Sequence, residues 1–277
     1  MKKILVPTDF SENSRIAYQY AMELAQQLNA QLTVANIYHP SATVVNEQPL
    51  PIAGELLQIN RERLDNFVAE GIEKNKKDGA VSVQVVKRVE IGFAVDRLIE
   101  LSKSGEYDLM VMGATGETGL LEKVFGKVSL SVAERSDCPV MLIPSDTSFA
   151  PIKKIMYATN FASKDIDVLT KIEKLSRNLN GKVHLVHVSE TPEEVLSKKE
   201  LIEIEENFQS KLPGLELVLN TVISESLSDG LELYAAEHSV DWMVIVKPHL
   251  NFWQRLTHIS QTNPIVMNPK VPLIVMH

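Results

Sequence analysis

The 277-residue chain has one cysteine, Cys138, so it forms no internal disulfide and no cysteine cage for a metal. A single thiol suits a reducing compartment, and its place before Pro139 at the start of an apolar run reads as a buried structural thiol. No apolar run reaches the length needed to cross a membrane. Only Lys2 and Lys3 precede the first apolar run, which is too little for a signal peptide, so a cytoplasmic location is expected. Positive charge is not in excess either. The net charge of −8 argues against nucleic acid, whose phosphates need a basic face. What is present is ordinary: 44% hydrophobic and 23% charged residues, in a length that suits two domains.

Residues 3–7 form a continuous apolar run closed by Pro7, as in a buried parallel strand. Ser11 then stands where a helix cap belongs, ahead of Ala17, Tyr20, Ala21, Leu24, Ala25 and Leu28 at helical spacing. Further strands are expected at 31–38, 81–89, 109–112 and 140–143, with helices at 56–77, 93–104 and 128–135. Residues 39–51 carry three prolines and read as a loop. Strands alternating with helices give right-handed βαβ units and a doubly wound, mostly parallel sheet of five strands.

The pattern restarts after a short polar linker at 144–151. Ile155-Met156-Tyr157-Ala158-Thr159-Asn160-Phe161 repeats Ile4-Leu5-Val6-Pro7-Thr8-Asp9-Phe10 at an offset of 151 residues. Asp241-Trp242-Met243-Val244-Ile245 repeats Asp108-Leu109-Met110-Val111-Met112, and Val271–Val275 repeats Cys138–Leu142, both at an offset of 133. A repeat of this length is a duplicated domain, giving two tandem α/β domains at 1–144 and 152–277. The shorter second copy is most simply explained by loss from the 39–51 loop.

One stretch of the first copy carries chemistry. Strand 109–112 stops at Gly113, followed by Gly116, Gly119 and then Gly126-Lys127-Val128-Ser129 at a helix start. Glycines let a backbone approach phosphate, and a helix N-terminus offers free N–H groups and a positive dipole end. The Walker A pattern fails, because it needs glycine at Leu121 and Ser or Thr at Val128, and the spacing is not the Rossmann fingerprint. Gly113, Gly116 and Gly126 instead form G-x2-G-x9-G. This resembles the nucleotide signature of the universal stress protein family, and with the repeat the chain is similar to a tandem member throughout. The family usually has Ser or Thr after the last glycine. Lys127 stands there instead, with Ser129 two residues on, a departure that exchanges a hydroxyl for a charge.

The resemblance implies an adenine nucleotide alpha-hydrolase-like fold and ATP, ADP or AMP bound in the first copy, with Mg2+ accompanying a triphosphate. Pro7, Thr8 and Asp9 would meet adenine and ribose, with Asp9 also able to cap the following helix. Ile37 would pack on adenine, and Met112 would meet the ribose. Gly113, Gly116, Gly126 and the N–H groups of Lys127, Val128 and Ser129 would hold phosphate. A bulky residue at Gly113 is expected to abolish binding and leave the fold intact. In the second copy Ala158, Asn160, Val246, His249, Ile259 and Ser260 replace Pro7, Asp9, Gly113, Gly116, Gly126 and Lys127, so that copy is expected to be empty. Phe252 and Trp253 read as fillers of the vacated pocket or of an interdomain seam rather than as ligand contacts. His184 and His187 lie three apart in a strand, on opposite faces, and share no ion.

The leading expectation is a cytoplasmic stress-response protein that binds an adenine nucleotide in one half and uses the other for regulation or docking. The two fifth strands, 140–143 and 273–276, would pair as an internal pseudo-dimer, with a homodimer as the alternative assembly. No dyad or triad supports an enzyme. Lys127, Ser129, Glu117 and Glu122 leave slow ATP hydrolysis as an alternative, and a nucleotide-free interaction scaffold is the third reading.

Overall fold

In the computed structural model, residues 3–40, 53–76, 82–115, 126–161, 165–176, 179, 181–192, 195–246, 259–260, 263–264 and 270–276 are described. The chain divides into two compact units, Met1–Phe149 and Ala150–His277.

In the first unit, strands β1 (Lys3–Thr8), β2 (Gln31–Tyr38), β3 (Val85–Ile91), β4 (Leu109–Gly113) and β5 (Val140–Ile143) alternate with helices. These are α1 (Glu12–Leu28), α2 (Ala53–Lys74), α3 (Ala94–Lys103) and α4 (Lys127–Arg135). The strand order is β3-β2-β1-β4-β5, and every pairing is parallel. Ile4, Leu5, Val6, Leu109, Met110 and Val111 are fully buried, as central strands covered on both faces require. Helices α1 and α2 pack together, as do α3 and α4. Strand order therefore reverses between β1 and β4, where doubly wound sheets bind ligands beyond the carboxyl ends of their strands.

Sequence periodicity finds the elements and pairing corrects their ends. Strand β3 runs Val85–Ile91 rather than 81–89, because its pairing with β2 runs from Leu32, opposite Val85, to Tyr38, opposite Ile91. Helix α1 begins after Ser11, whose side chain accepts from the Ser14 N–H as expected of a cap, and ends at Asn29 with φ 50°. Cys138 is buried at 5% exposure.

The second unit has β6 (Lys154–Ala158), β7 (Lys182–Ser189), β8 (Leu217–Ile223), β9 (Trp242–Val246) and, after a short antiparallel pair β10 (Ile259–Ser260) and β11 (Asn263–Pro264), β12 (Leu273–Met276). Its helices are α5 (Asp165–Ser176), α6 (Lys198–Lys211) and α7 (Leu227–His238), and the parallel order is β8-β7-β6-β9-β12. A Ser197/Glu200 capping box starts α6 at Lys198.

The repeat holds bond by bond. Asp108 N donates to Lys3 O and its Oδ2 accepts from Lys3 N; Asp241 does the same with Lys154. Phe10 and Phe161 both have positive φ, 67° and 54°, and both donate their N–H to the hydroxyl of the Thr two residues earlier. The shortening of the second copy lies only partly in the connection equivalent to 39–51. Between β2 and β3 the 22-residue α2 is matched by an α6 of 14 residues, and the connections on both sides are shorter as well.

Candidate functional site

The register sorts the expected site residues by sheet face. Pro7 lies beside Ala35, Leu5 beside Met110, and Ile37 beside Glu90. Residues side by side in a parallel sheet share a face, and side chains two apart in a strand share it too. Pro7, Ile37 and Met112 therefore project to one face at the carboxyl edge, with the α3 side of the sheet. Met112 is 6% exposed and Ile37 is half-buried.

Thr8 and Gly113 project to the opposite face, toward α1. Thr8 is buried, its hydroxyl bonded to Ser14 Oγ at 2.9 Å and accepting the Phe10 N–H. Only its backbone is left for the edge. A Cβ on Gly113 would stand 2.9 Å from the carbonyl oxygen of Asn13 and 3.0 Å from its carbonyl carbon. Glycine here lets α1 come close to β4, so a bulky residue would not leave the fold intact as expected.

Asp9 is exposed, and its Oδ1 accepts from the N–H and hydroxyl of Ser11, at 3.0 and 2.5 Å. Asp9 thus orients the residue that caps α1, while its other carboxylate oxygen takes no bond among the described residues.

Gly126 is the N-cap of α4, in extended conformation (φ −63°, ψ 143°) that any residue adopts, with no side chain capping the helix. Its N–H donates to Ala114 O, and the first bond within the helix is from Leu130 N to Gly126 O. The N–H groups of Lys127, Val128 and Ser129 are left unpaired among the described residues. They add to the helix dipole and to the exposed Lys127 to make an anion-accepting start. The Ser129 side chain does not join them: it is buried, and its hydroxyl donates to Gly113 O at 2.8 Å, tying α4 to the end of β4. Gly116 lies outside the described residues.

Three groups were not singled out by sequence reasoning. Asn13 Nδ2 donates to Thr115 Oγ1 at 2.6 Å, bridging α1 to the residues after β4. Asn36, 4% exposed, donates to Thr8 O at 2.9 Å and fixes the turn after β1. Its equivalent His187 approaches Thr159 O at 3.0 Å, so a polar residue at both repeat positions was the available signal. Phe93 and His39 stack at the ends of β3 and β2, with ring centroids 4.2 Å apart. Nearby Glu90 is bonded by Arg88 and by two nitrogens of Arg97. Burial would raise its pKa, but the hydrogen bonds from Arg97 and Arg88 outweigh that and hold it below the usual carboxylate range.

In the second unit Asp165 takes the place of Ser14. It is 3% exposed and accepts from Tyr157 OH at 2.8 Å and from the Thr159 hydroxyl. Where α4 begins in the first unit, Ile259 and Ser260 pair with Pro264 and Asn263 as strands. His184 bonds Tyr234 OH at 2.7 Å on the α7 side, while His187 turns to Thr159, so the two do occupy opposite faces. His249, Phe252, Trp253 and His258 lie outside the described residues. Among the described residues no group of three or more His, Cys, Asp or Glu could hold a metal, and no helix is long and apolar enough to cross a membrane.

Fold and site together define a doubly wound α/β protein with an anion-accepting helix start at its switch point. The model of the universal stress protein family matches residues 1–144, and the chain belongs to that family. A universal stress protein of Methanocaldococcus jannaschii is 30% identical over 143 residues, covering 51% of this chain and 81% of the relative. The stress response protein NhaX of Bacillus subtilis is 25% identical over 166 residues, covering 51% and 96%. In fold, the crystal structure of a universal stress protein from Archaeoglobus fulgidus is similar over 99% of this chain and 97% of that one, with a TM-score of 0.73 at 19% identity.

Proposed function

We propose that this stress protein binds an adenine nucleotide, ATP or its ADP or AMP relatives, at the carboxyl edge of the first unit. It would act in the cytoplasm, with the second unit serving regulation or docking. The observation that carries the reading is the first turn of α4: three N–H groups unpaired among the described residues and Lys127 start a helix after β4, at the switch point of the sheet whose carboxyl edge holds Pro7, Ile37 and Met112. The phosphates would rest on that turn, with Mg2+ entering alongside a triphosphate, and the base would lie over Ile37. In the second unit the equivalents of Gly126 and Lys127, Ile259 and Ser260, pair as strand rather than start a helix, which supports reading that unit as empty.

We read the first unit as a binder rather than a catalyst. Among the described residues the Ser129 hydroxyl is spent on Gly113 O and one oxygen of Asp9 is held by Ser11, which supports this reading; Glu117 and Glu122 lie outside the described residues. The test is to denature freshly purified protein and identify released nucleotide by mass spectrometry. One adenine nucleotide per chain is the expected result. No released nucleotide, together with no thermal shift on adding ATP and Mg2+, would overturn the reading in favour of a scaffold.

A further inference from the structure

We propose that Phe93, braced on His39, is the wall against which the base of the bound nucleotide packs, and that it biases the site toward purines. The inference rests on the nucleotide reading above and adds a specificity-determining residue to it. Four observations support it.

Phe93 occupies the N-cap of α3, where Ser, Thr, Asp or Asn would bond the first-turn N–H groups, and makes no such bond. An aromatic there weakens the helix start. Local rules are broken in this way at functional positions more often than elsewhere. Phe93 is also 64% exposed, the most exposed large apolar side chain among the described residues. Its ring is nonetheless held in place, with an interplanar angle of 20° to His39. Finally, the two rings are fastened to the sheet edge. Gly92, at φ +149°, donates its N–H to Tyr38 O at 2.9 Å, locking the end of β3 to the end of β2.

The topology then places the pair relative to the ligand. His39 is the first residue past β2 and Phe93 starts α3, the helix that packs on β2, so the stacked rings stand at the carboxyl ends of β2 and β3, the edge that Ile37 also reaches. From β4 across β1 and β2 to β3 is three strand spacings, roughly 14 Å. A nucleotide with its phosphates on α4 spans that edge and brings its base toward β2 and β3. Stacking on an aromatic ring is available to every base, but a two-ring base covers more of the ring than a one-ring base.

The test compares ATP, CTP and inorganic tripolyphosphate by calorimetry with Mg2+, on the wild type, Phe93→Ser and Phe93→Trp. Serine restores a capping residue, so the variant keeps its helix start. Expected are an ATP preference over CTP in the wild type and at least about a fivefold loss of ATP affinity in Phe93→Ser. Tripolyphosphate binding should not change, and Phe93→Trp should retain ATP affinity and show emission quenched by ATP but not by tripolyphosphate. Equal ATP affinity in the wild type and Phe93→Ser would overturn the wall while leaving the nucleotide site standing. A wild type that binds tripolyphosphate as tightly as ATP would also overturn it. A wild type that binds none of the three would overturn the nucleotide reading and the wall with it.

Discussion

At the scale of single residues, the junction of β4 with α1 and α4 depends on atoms that a motif cannot show. Gly113→Ala places a methyl group against the Asn13 backbone, which cannot rotate away as a side chain could. Overpacking of this kind costs about 1–3 kcal/mol, and urea unfolding should show it even without ligand. An unchanged midpoint would mean that α1 retreats freely. His184 supplies a second prediction. Burial, then Lys154, His238 and Lys182, push its pKa below the ordinary value. The folded chain thus favours the neutral ring, while the unfolded chain takes up a proton near pH 6.5. Stability is full above that pH and falls as pH drops below it. His184→Gln removes the titrating group and should flatten the loss seen by urea unfolding between pH 7.5 and 5.5. A slope equal to the wild type would assign the acid sensitivity elsewhere.

At the scale of elements, the start of α4 allows charge and backbone to be separated. Gly126, at φ −63° and ψ 143°, already has the extended conformation that a residue before proline prefers. Proline is also tolerated at the first helical position. Lys127→Pro should therefore fold normally while losing both the ammonium and one N–H, whereas Lys127→Gln loses only the ammonium. The expected order of ATP affinity is wild type, then Lys127→Gln, then Lys127→Pro, with the second step several-fold if that N–H meets phosphate. Equal affinities for the two variants would take this N–H out of the site.

At the scale of the whole molecule, the proposed reading, with a nucleotide in the first unit and none in the second, predicts a single binding event per chain. Saturating ATP at about 100 times its Kd should add about 2.7 kcal/mol to the stability of the unit that binds it. Restoring residues alone should not fill the second unit. Asn160→Asp combined with Val246→Gly is expected to leave the stoichiometry by calorimetry at one, because the segment at Ile259 and Ser260 pairs as strand and offers no helix start. A stoichiometry of two would show that glycine and carboxylate suffice.

The sequence by itself determined the architecture, because continuous apolar strands, helical periodicity and a repeat at offsets of 151 and 133 residues are local patterns that only one layered packing satisfies. It also pointed to one edge of the first unit as the proposed site, since glycines and a helix start follow a buried strand. Which atoms face that edge was decided by tertiary structure alone. Thr8 and Gly113 read as ligand residues and turn toward α1, Ser129 gives its hydroxyl to a carbonyl, and Phe93 reads as the start of an ordinary helix and stands at the rim. The physical reason is that side-chain direction depends on strand register and on the closeness of packed backbones, and both are set by contacts between residues far apart in the chain.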